Sequence, residues 1–464
     1  MDQFQRLRNV GRLEQYSTAR HQCGFYLNVA VSANYVLPDK YALPIKHYLY
    51  HACANLIAEH PVLSAIPAAD DTQQPYFVRL PQINLDEVVS FQTRKSTFYR
   101  AEDETTEPTE DLELQALLEA QHNRPFTAPN AYWRLCVLLD PENDRKFSTA
   151  FVFHHALGDG NSGKAFHHAF LQALCAGLTE EPKSLVEAPQ TPLLPNLEAL
   201  HSLPLSFMFL AKKLFQAKIY SSRDPGLWAG DKIQTAGQTR IRLVSFPKSL
   251  VTSLRSVCRQ ESTTITALLQ TVVAQALFTH LPPSFSRLNC TGAISMRHWL
   301  PDIITDDSMG VYVQDLEESY SRSAALPANG TFPWSETRRS RQTIETVLKR
   351  KGADGNVNLL KFVGDYQKEL CFSKVGRDRD KSFEVSNVGV MHCEPSSGRP
   401  FLEGMVFSQC ASVIGNAVGV SVVTGGDGRL VLAISWQDTV VEDALVEGMI
   451  RSMRDVLTVL GGRT

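Results

Sequence analysis

The stretch that decides the fold is FVFHHALGDGNSGKAFHHAF, residues 151–170. It predicts a buried strand that ends in His154 and His155, a glycine-containing bend, and a helix that Asn161 or Ser162 can cap at its N-terminus. A histidine at such a strand-to-loop transition, beside glycines and before a helix, is typical of a reactive group in α/β proteins.

The two histidines are predicted to point in opposite directions. Successive residues of a strand face opposite sides of a sheet, so His155 shares a face with residues 151 and 153, and His154 with residue 152. The pair therefore cannot readily bind one metal ion together with Asp159, and we expect one histidine to be structural and no metal site. A buried histidine satisfied by Asp159, without any chemistry, is the alternative interpretation.

Patterns elsewhere in the chain indicate a mixed α/β protein. The strand patterns are 24–36, 132–139, 146–154 and a hairpin within 418–436, and the helical patterns are 43–61, 265–277 and 442–460. The acidic stretch 101–113 predicts a solvated loop that leads into a helix.

A proline-rich segment divides the chain. Pro189, Pro192, Pro195 and Pro204 fall between regions rich in strand and helix patterns. We therefore predict an N-terminal domain over 1–186, a crossover over 187–231 and a C-terminal domain over 232–464.

The composition excludes several classes of protein. The chain has 464 residues, 43% hydrophobic and 20% charged, with a formal net charge of −3. These values indicate a globular protein and give no sign of nucleic-acid binding. The nine cysteines form no CxxC pair, and neither a signal peptide nor an apolar stretch of about 18 residues is evident. We expect a cytoplasmic, monomeric protein.

The motif at 154–160, HHALGDG, resembles the H-x-x-x-D-G signature of the CoA-dependent acyltransferase superfamily. Chance would place this pattern in a chain of such composition about 0.04 times. More narrowly, the chain is similar to the fungal alcohol O-acetyltransferase family. That similarity rests on RLEQYSTARHQCGFY (12–26), EHPVLS (59–64), NRPF and YWRLCV within 123–137, HALGDGNS (155–162) and SNVG (386–389).

The resemblance implies two α/β domains with mixed sheets and a tunnel at their interface. It implies transfer of an acetyl group from acetyl-CoA to an alcohol, with His155 as general base and no bound cofactor. Asp159 would pair with Arg297 and hold the shape of the loop, and Gly160 would leave room beside the histidine.

Other roles are predicted less sharply. The candidate donors of hydrogen bonds to the oxyanion are Ser408, Ser412 and Asn416. Each could equally be a polar strand residue that makes only local hydrogen bonds. Lys374 and Arg377 are candidate ligands of the CoA phosphates, although a solvated loop fits them as well.

Three alternatives remain open from the sequence. The chain fits a non-catalytic acyl-CoA-binding protein on the same fold, or an acyltransferase that uses longer acyl-CoA donors. The acceptor alcohol fits a small alcohol or a hydroxylated secondary metabolite. Finally, 203–220, with Lys212, Lys213 and Lys218, resembles a helix that lies on a membrane surface, and an ordinary amphipathic helix fits equally.

Overall fold

The structure is a computed structural model that describes residues 3–97, 110–178, 181–219, 224–393 and 398–462. Its strands are β1 (Gln5–Asn9), β2 (Val29–Val36), β3 (Ala65–Ala68), β4 (Tyr76–Arg79), β5 (Gln82–Asn84), β6 (Val89–Thr93), β7 (Trp133–Leu139), β8 (Lys146–Phe153), β9 (Leu185–Glu187), β10 (Thr239–Phe246), β11 (Arg287–Ser295), β12 (Val313–Ser321), β13 (Phe383–Val390), β14 (Phe401–Gln409), β15 (Val418–Thr424) and β16 (Leu430–Gln437). Its helices are α1 (Arg12–Gln22), α2 (Ile45–Glu59), α3 (Leu85–Val88), α4 (Leu112–His122), α5 (Gly160–Ala176), α6 (Leu197–Leu200), α7 (Phe207–Ile219), α8 (Lys248–Gln260), α9 (Ile265–His280), α10 (Arg322–Ala325), α11 (Trp334–Lys349) and α12 (Asp443–Gly461).

The first large sheet carries the histidine motif. Its five strands run in the order β14-β2-β8-β7-β6, and β8 lies at the centre between two antiparallel neighbours. Every residue of β8 after Lys146 is buried, as expected of a hydrophobic strand covered on both faces. Phe151 of β8 stacks on Phe166 of α5 with ring centroids 3.8 Å apart. This packing fixes the end of β8, where the motif begins.

The second large sheet has six strands in the order β10-β16-β15-β13-β11-β12. The pairs β13–β15 and β11–β13 are parallel, and the others are antiparallel. A second hydrophobic core forms where α8, α9 and α12 contact each other on this sheet. The mixed α/β class predicted from the sequence is therefore confirmed.

One strand of the first sheet comes from the second half of the chain. Strand β14 belongs to the C-terminal half of the chain, yet it pairs antiparallel with β2 at the edge of the first sheet. The sequence patterns predicted no strand here, and a strand's own sequence carries no information about which sheet receives it. The segment 401–409 therefore returns from the predicted C-terminal domain to complete the N-terminal sheet.

The predicted elements match the observed ones with local differences. The strand predicted from residue 24 begins at Val29, because the chain before it turns at Gly24, where φ is +72°. The predicted acidic loop falls mostly on residues 101–109, which lie outside the described residues, and α4 follows at Leu112. The helix in the motif begins at Gly160 and is capped by Asp159, not by Asn161 or Ser162.

Within the segment 203–220, the residues Phe207–Ile219 form α7, an exposed helix. Phe207, Met208, Leu214 and Phe215 are between 57% and 87% exposed, so much of its apolar surface faces away from the core. Among the helices of the described ranges, none has both the length and the apolar character that crossing a bilayer requires.

Candidate active site

The two histidines at the end of β8 have different surroundings. His154 is 1% exposed, its Nδ1 accepts a hydrogen bond from the Ala156 amide at 3.0 Å, and its ring packs against His21 and Tyr132. Burial holds the pKa of His154 well below its ordinary value. His154 is thus part of the core, as expected for one member of an adjacent pair on a strand.

His155 faces a cavity between the two large sheets. Its Nδ1 is buried, its ring lies 5.6 Å from the Tyr26 ring between centroids, and the residue lines the cavity wall. The pKa of His155 is lowered to about 4, chiefly by burial and secondly by the positive charge of Arg20. The imidazole is therefore neutral at pH 7 and has a lone pair available for a proton.

Asp159 is turned away from the cavity centre into a buried ion pair. The Arg297 guanidinium donates from Nη1 to Oδ2 at 2.8 Å and from Nη2 to Oδ1 at 3.0 Å. The amides of Ser162 and Tyr312 each donate to one of the same oxygens at 3.0 Å. Burial alone would raise the pKa of Asp159, but the charge and hydrogen bonds of Arg297 hold it below its ordinary value.

This ion pair joins the two halves of the protein. Asp159 caps α5 in the first half, whereas Arg297 follows β11 of the second sheet. The two side chains are 2% and 1% exposed, so neither charge has access to water. Because both carboxylate oxygens are occupied, Asp159 is poorly placed to accept a proton from His155.

Gly160 is required by close packing. A Cβ atom added there would lie 2.6 Å from Val388 Cγ1 and 3.0 Å from Phe407 Cζ. Those side chains belong to β13 and β14, so the space beside Gly160 is already filled. The glycine allows the motif to approach both strands.

The cavity has a volume of about 230 Å³ and a mainly polar lining. This volume suits the reacting ends of two substrates better than a whole CoA molecule. Its polar lining residues outside the motif are Tyr16, Arg20, Tyr26, Thr291, Ser295, Lys381, Glu384, Ser386, Asn387, Gln409, Ser412, Asn416 and Ser435.

Two of the three predicted oxyanion donors line the cavity, and the third does not. Ser412 and Asn416 line the cavity. Ser408 does not line it, because on β14 it points to the opposite face from Phe407 and Gln409. Its buried hydroxyl instead bonds to His122 Nε2 at 2.8 Å, inside the first half.

A buried arginine supports the loop that carries the two remaining donors. Arg379 Nη1 donates to the carbonyl oxygens of Ser412 and Gly415 at 3.2 Å each. Its Nη2 donates to Gln437 Oε1 at 3.1 Å. These bonds fix the turn between Ser412 and Asn416 relative to the second sheet.

The predicted CoA ligands Lys374 and Arg377 lie outside the cavity lining. Lys381, farther along the same loop, does line it and approaches Glu317 at 3.9 Å. Arg20 and Glu384 also face the cavity, and sequence reasoning assigned neither a role. The sequence offered little evidence for either residue. Arg20 lies within 12–26, one of the segments that resemble the alcohol O-acetyltransferase family, and Glu384 alternates with buried residues of β13.

Across the described ranges, no group of three His, Cys, Asp or Glu side chains is arranged to hold a metal ion. The chemistry available from the cavity is that of a neutral imidazole, hydroxyl and amide donors, and nearby charges.

The fold and the position of the motif define a CoA-dependent acyltransferase. The structure is similar to the TRI3 trichothecene 15-O-acetyltransferase of Fusarium sporotrichioides, with a TM-score of 0.72 and 15% identity over 98% of this chain and 95% of that one. It is also similar to the condensation domain of the monacolin K polyketide synthase MokA, with a TM-score of 0.63 and 12% identity over 99% and 98% of the two chains. At such identities the likeness establishes the fold.

The chain belongs to the alcohol acetyltransferase family, whose model matches residues 9–453. It is 32% identical to the "Probable alcohol acetyltransferase crmB" of Aspergillus fumigatus, over 94% of this chain and 96% of the relative. It is 24% identical to the "Probable alcohol acetyltransferase FCK4" of Fusarium pseudograminearum, over 96% and 93%. The protein is therefore an enzyme that transfers an acetyl group to an alcohol.

We predict that Asp159→Ala lowers stability as well as activity. The substitution leaves the buried Arg297 charge without its partner, which costs about 3–5 kcal/mol. Soluble yield and urea unfolding measure the effect. Asp307→Ala, which removes an exposed carboxylate bonded to His168, serves as control and should unfold like the wild type. A folded, equally stable and inactive Asp159→Ala enzyme would contradict the structural role.

Proposed function

We propose that the enzyme acetylates a hydroxyl of an oxygen-rich secondary metabolite, with acetyl-CoA as donor and His155 as general base. The observation that carries this proposal is the neutral imidazole of His155 at a polar cavity between the two sheets. The neighbouring carboxylate, Asp159, is fully engaged by Arg297 and leaves the histidine free to act.

The proposed reaction needs only the two substrates and this histidine. His155 accepts the hydroxyl proton while the alcohol oxygen attacks the thioester carbonyl, which forms a C–O bond and a tetrahedral oxyanion. The C–S bond then breaks, and the imidazolium proton neutralises the departing thiolate. The products are an acetate ester and CoA, and His155 is neutral again.

We assign stabilisation of the oxyanion to Ser412 and Asn416. Both line the same cavity as His155, and Arg379 holds their loop in place. Donors fixed before the reaction stabilise developing charge more effectively than water, because they need no reorganisation.

The lining of the cavity favours an oxygen-rich acceptor over a small aliphatic alcohol. A simple alkyl chain would leave many polar groups without hydrogen-bonding partners, which costs free energy. The structural relative TRI3 is named for acetylation of a trichothecene, which supports the same class of acceptor.

We predict that His155→Ala lowers kcat about 10²- to 10⁴-fold, because general base catalysis is lost. Release of the CoA thiol, measured with acetyl-CoA and a panel of alcohols, follows the reaction, and mass spectrometry identifies the ester. The control is His168→Ala, since His168 is exposed and bonds to Asp307. Undiminished turnover by the His155→Ala enzyme would rule out the mechanism.

The low pKa of His155 predicts an unusual acid limit for activity. Since only the neutral ring accepts a proton, kcat/KM should fall by half near pH 4 and not near pH 6.5. Burial also lowers the pKa of His122 to about 3 and of His167 to about 4. Below pH 6.5 protons therefore bind the unfolded chain preferentially, and stability decreases.

Initial rates should accordingly be recorded within seconds of a pH jump, with tryptophan fluorescence as a check on folding. A half-maximal rate near pH 6.5 in a folded enzyme would show that the base is not a buried histidine of this kind.

We further propose that α7 rests on an anionic membrane surface. Its exposed apolar side chains lie next to Lys212 and Lys213, a combination that suits an interfacial helix. A monomeric state and a cytoplasmic location stay predictions.

Sedimentation with phosphatidylserine-containing vesicles tests this. Wild type should sediment with the vesicles, and a Phe207→Glu, Met208→Glu variant should not. Leu112→Glu, at an apolar position 67% exposed on α4, is the control and should still sediment. Equal sedimentation of all three proteins would contradict the proposal.

A further inference from the structure

Two side chains of opposite charge line the reaction cavity from different halves of the protein. Arg20 comes from α1, and Glu384 comes from β13. Neither exchanges a proton in the transfer that we assign to His155, although the Arg20 charge helps to lower the pKa of that histidine. Charged groups in a confined cavity are costly unless they bind something, so the pair calls for an explanation.

Glu384 stands in a row of small residues across the second sheet. In the strand register it lies beside Gly419 on one side and Thr291 on the other, and Gly419 lies beside Ser435. All four residues line the cavity. Because Thr291, Gly419 and Ser435 are short, the carboxyl group of Glu384 is the longest of these four cavity-lining side chains and is open to a ligand.

Among the described residues, the Gln409 side chain hydrogen-bonds to Glu384. The Gln409 amide is itself held on both sides: its Oε1 accepts from the Tyr26 hydroxyl at 2.8 Å, and its Nε2 donates to Ser421 Oγ at 3.1 Å. Burial raises the pKa of Glu384, while the charges of Lys381 and Arg20 oppose the shift. A carboxylate has room for about four hydrogen bonds, so most of its capacity stays open.

Arg20 is held by two aromatic rings. Its guanidinium carbon lies 4.2 Å from the centre of the Tyr16 ring and 4.4 Å from that of Tyr26. One long hydrogen bond, from Nη2 to Ser17 Oγ at 3.4 Å, is its only side-chain bond in the described part of the chain, and its buried Nε has no partner there. Within those residues no carboxylate lies within 4 Å of it. The ring faces stabilise the cation but leave its donors free.

We propose that Glu384 and Arg20 together bind a second hydroxyl of the acceptor, so that the enzyme selects dihydroxy or more oxygenated alcohols over mono-alcohols. A hydroxyl group donates one hydrogen bond and accepts others, so it can donate to Glu384 and accept from Arg20 at once. A mono-alcohol of the same size leaves both charged groups without a hydrogen-bond partner. Sites built to bind a substrate hydroxyl discriminate strongly against a substrate that lacks it. This inference rests on the proposed function, since the reacting hydroxyl is the one that His155 activates.

The CoA phosphates are poorer candidates for this pair. The Glu384 carboxylate repels an anion, and the cavity of about 230 Å³ is too small for the nucleotide. The acceptor is the substrate whose chemistry suits a carboxylate and a guanidinium together.

The test compares cyclohexanol with trans-1,4-cyclohexanediol in the full-length enzyme, with acetyl-CoA as donor. We expect kcat/KM per hydroxyl to be higher for the diol in the wild type. Glu384→Gln should lower the ratio of diol to mono-alcohol about 10-fold, the effect of one lost hydrogen bond to a charged group. The KM for acetyl-CoA should not change. Glu384→Asp, which keeps the charge, should retain part of the preference.

The matched control is Glu317→Gln. Glu317 lies on β12 next to Thr291 and outside the cavity lining. It pairs with Lys213 at 3.0 Å and approaches the cavity-lining Lys381 only at 3.9 Å. The ratio of diol to mono-alcohol kcat/KM in the Glu317→Gln enzyme should equal that of the wild type. Arg20→Gln should lower the ratio in the same direction as Glu384→Gln. A merely structural role for Glu384 would lower thermal stability and both rates together, and would leave the ratio intact.

A binding measurement separates this inference from the proposed mechanism. In the inactive His155→Ala protein, the diol should still raise the melting temperature more than cyclohexanol, and Glu384→Gln should abolish that difference. If acetyl transfer does not depend on His155 but the diol preference does depend on Glu384, the mechanism fails and the inference stands. Three results would each overturn the inference. They are equal kcat/KM for both alcohols in the wild type, an unchanged ratio of diol to mono-alcohol kcat/KM in Glu384→Gln, and an effect confined to the KM of acetyl-CoA.

Discussion

The buried ion pair between Asp159 and Arg297 is the contact on which the cavity depends. It connects the first turn of α5 to the loop after β11, and so fixes the position of the two sheets relative to each other beside His155. Two charges taken out of water need compensating hydrogen bonds, and here backbone amides of both halves donate to the Asp159 carboxylate. Both oxygens of this carboxylate are thereby occupied, so Asp159 is poorly placed to exchange a proton with the histidine four residues earlier.

The electrostatics of the cavity follow from this arrangement. His155 is neutral because burial and the Arg20 charge both disfavour its protonated form, and the Asp159 carboxylate offsets these effects only in part. Many enzymes orient a histidine with a carboxylate. In this protein the carboxylate of the motif is bonded to Arg297 instead. Tyr26 contacts three groups at the cavity: its ring lies near the His155 ring and beneath the Arg20 guanidinium, and its hydroxyl donates to Gln409.

The sequence predicted what local patterns encode. The strand before the motif, the opposite faces of His154 and His155, and the mixed α/β class all follow from period-2 alternation and apolar runs. The pairing of Asp159 with Arg297 followed from family resemblance alone, since 138 residues separate the two. What could not be predicted depends on register between distant strands. Ser408 and Ser412 look equivalent in sequence, and only the pairing of β14 with β2 turns Ser408 toward His122. Glu384 of β13 and Arg20 of α1 meet at one cavity only through tertiary packing, which local patterns do not encode.

The insertion of β14 into the first sheet has a consequence for biosynthesis. Until residues 401–409 have left the ribosome, β2 presents an unpaired edge with open backbone groups, a surface prone to association with other chains. The N-terminal half is thus an incomplete sheet for most of translation, and Phe407, which closes against Gly160, arrives last. Catalytic competence is therefore withheld until the chain is nearly finished, and a prematurely terminated product should be a client for chaperones or proteases and not a slow enzyme.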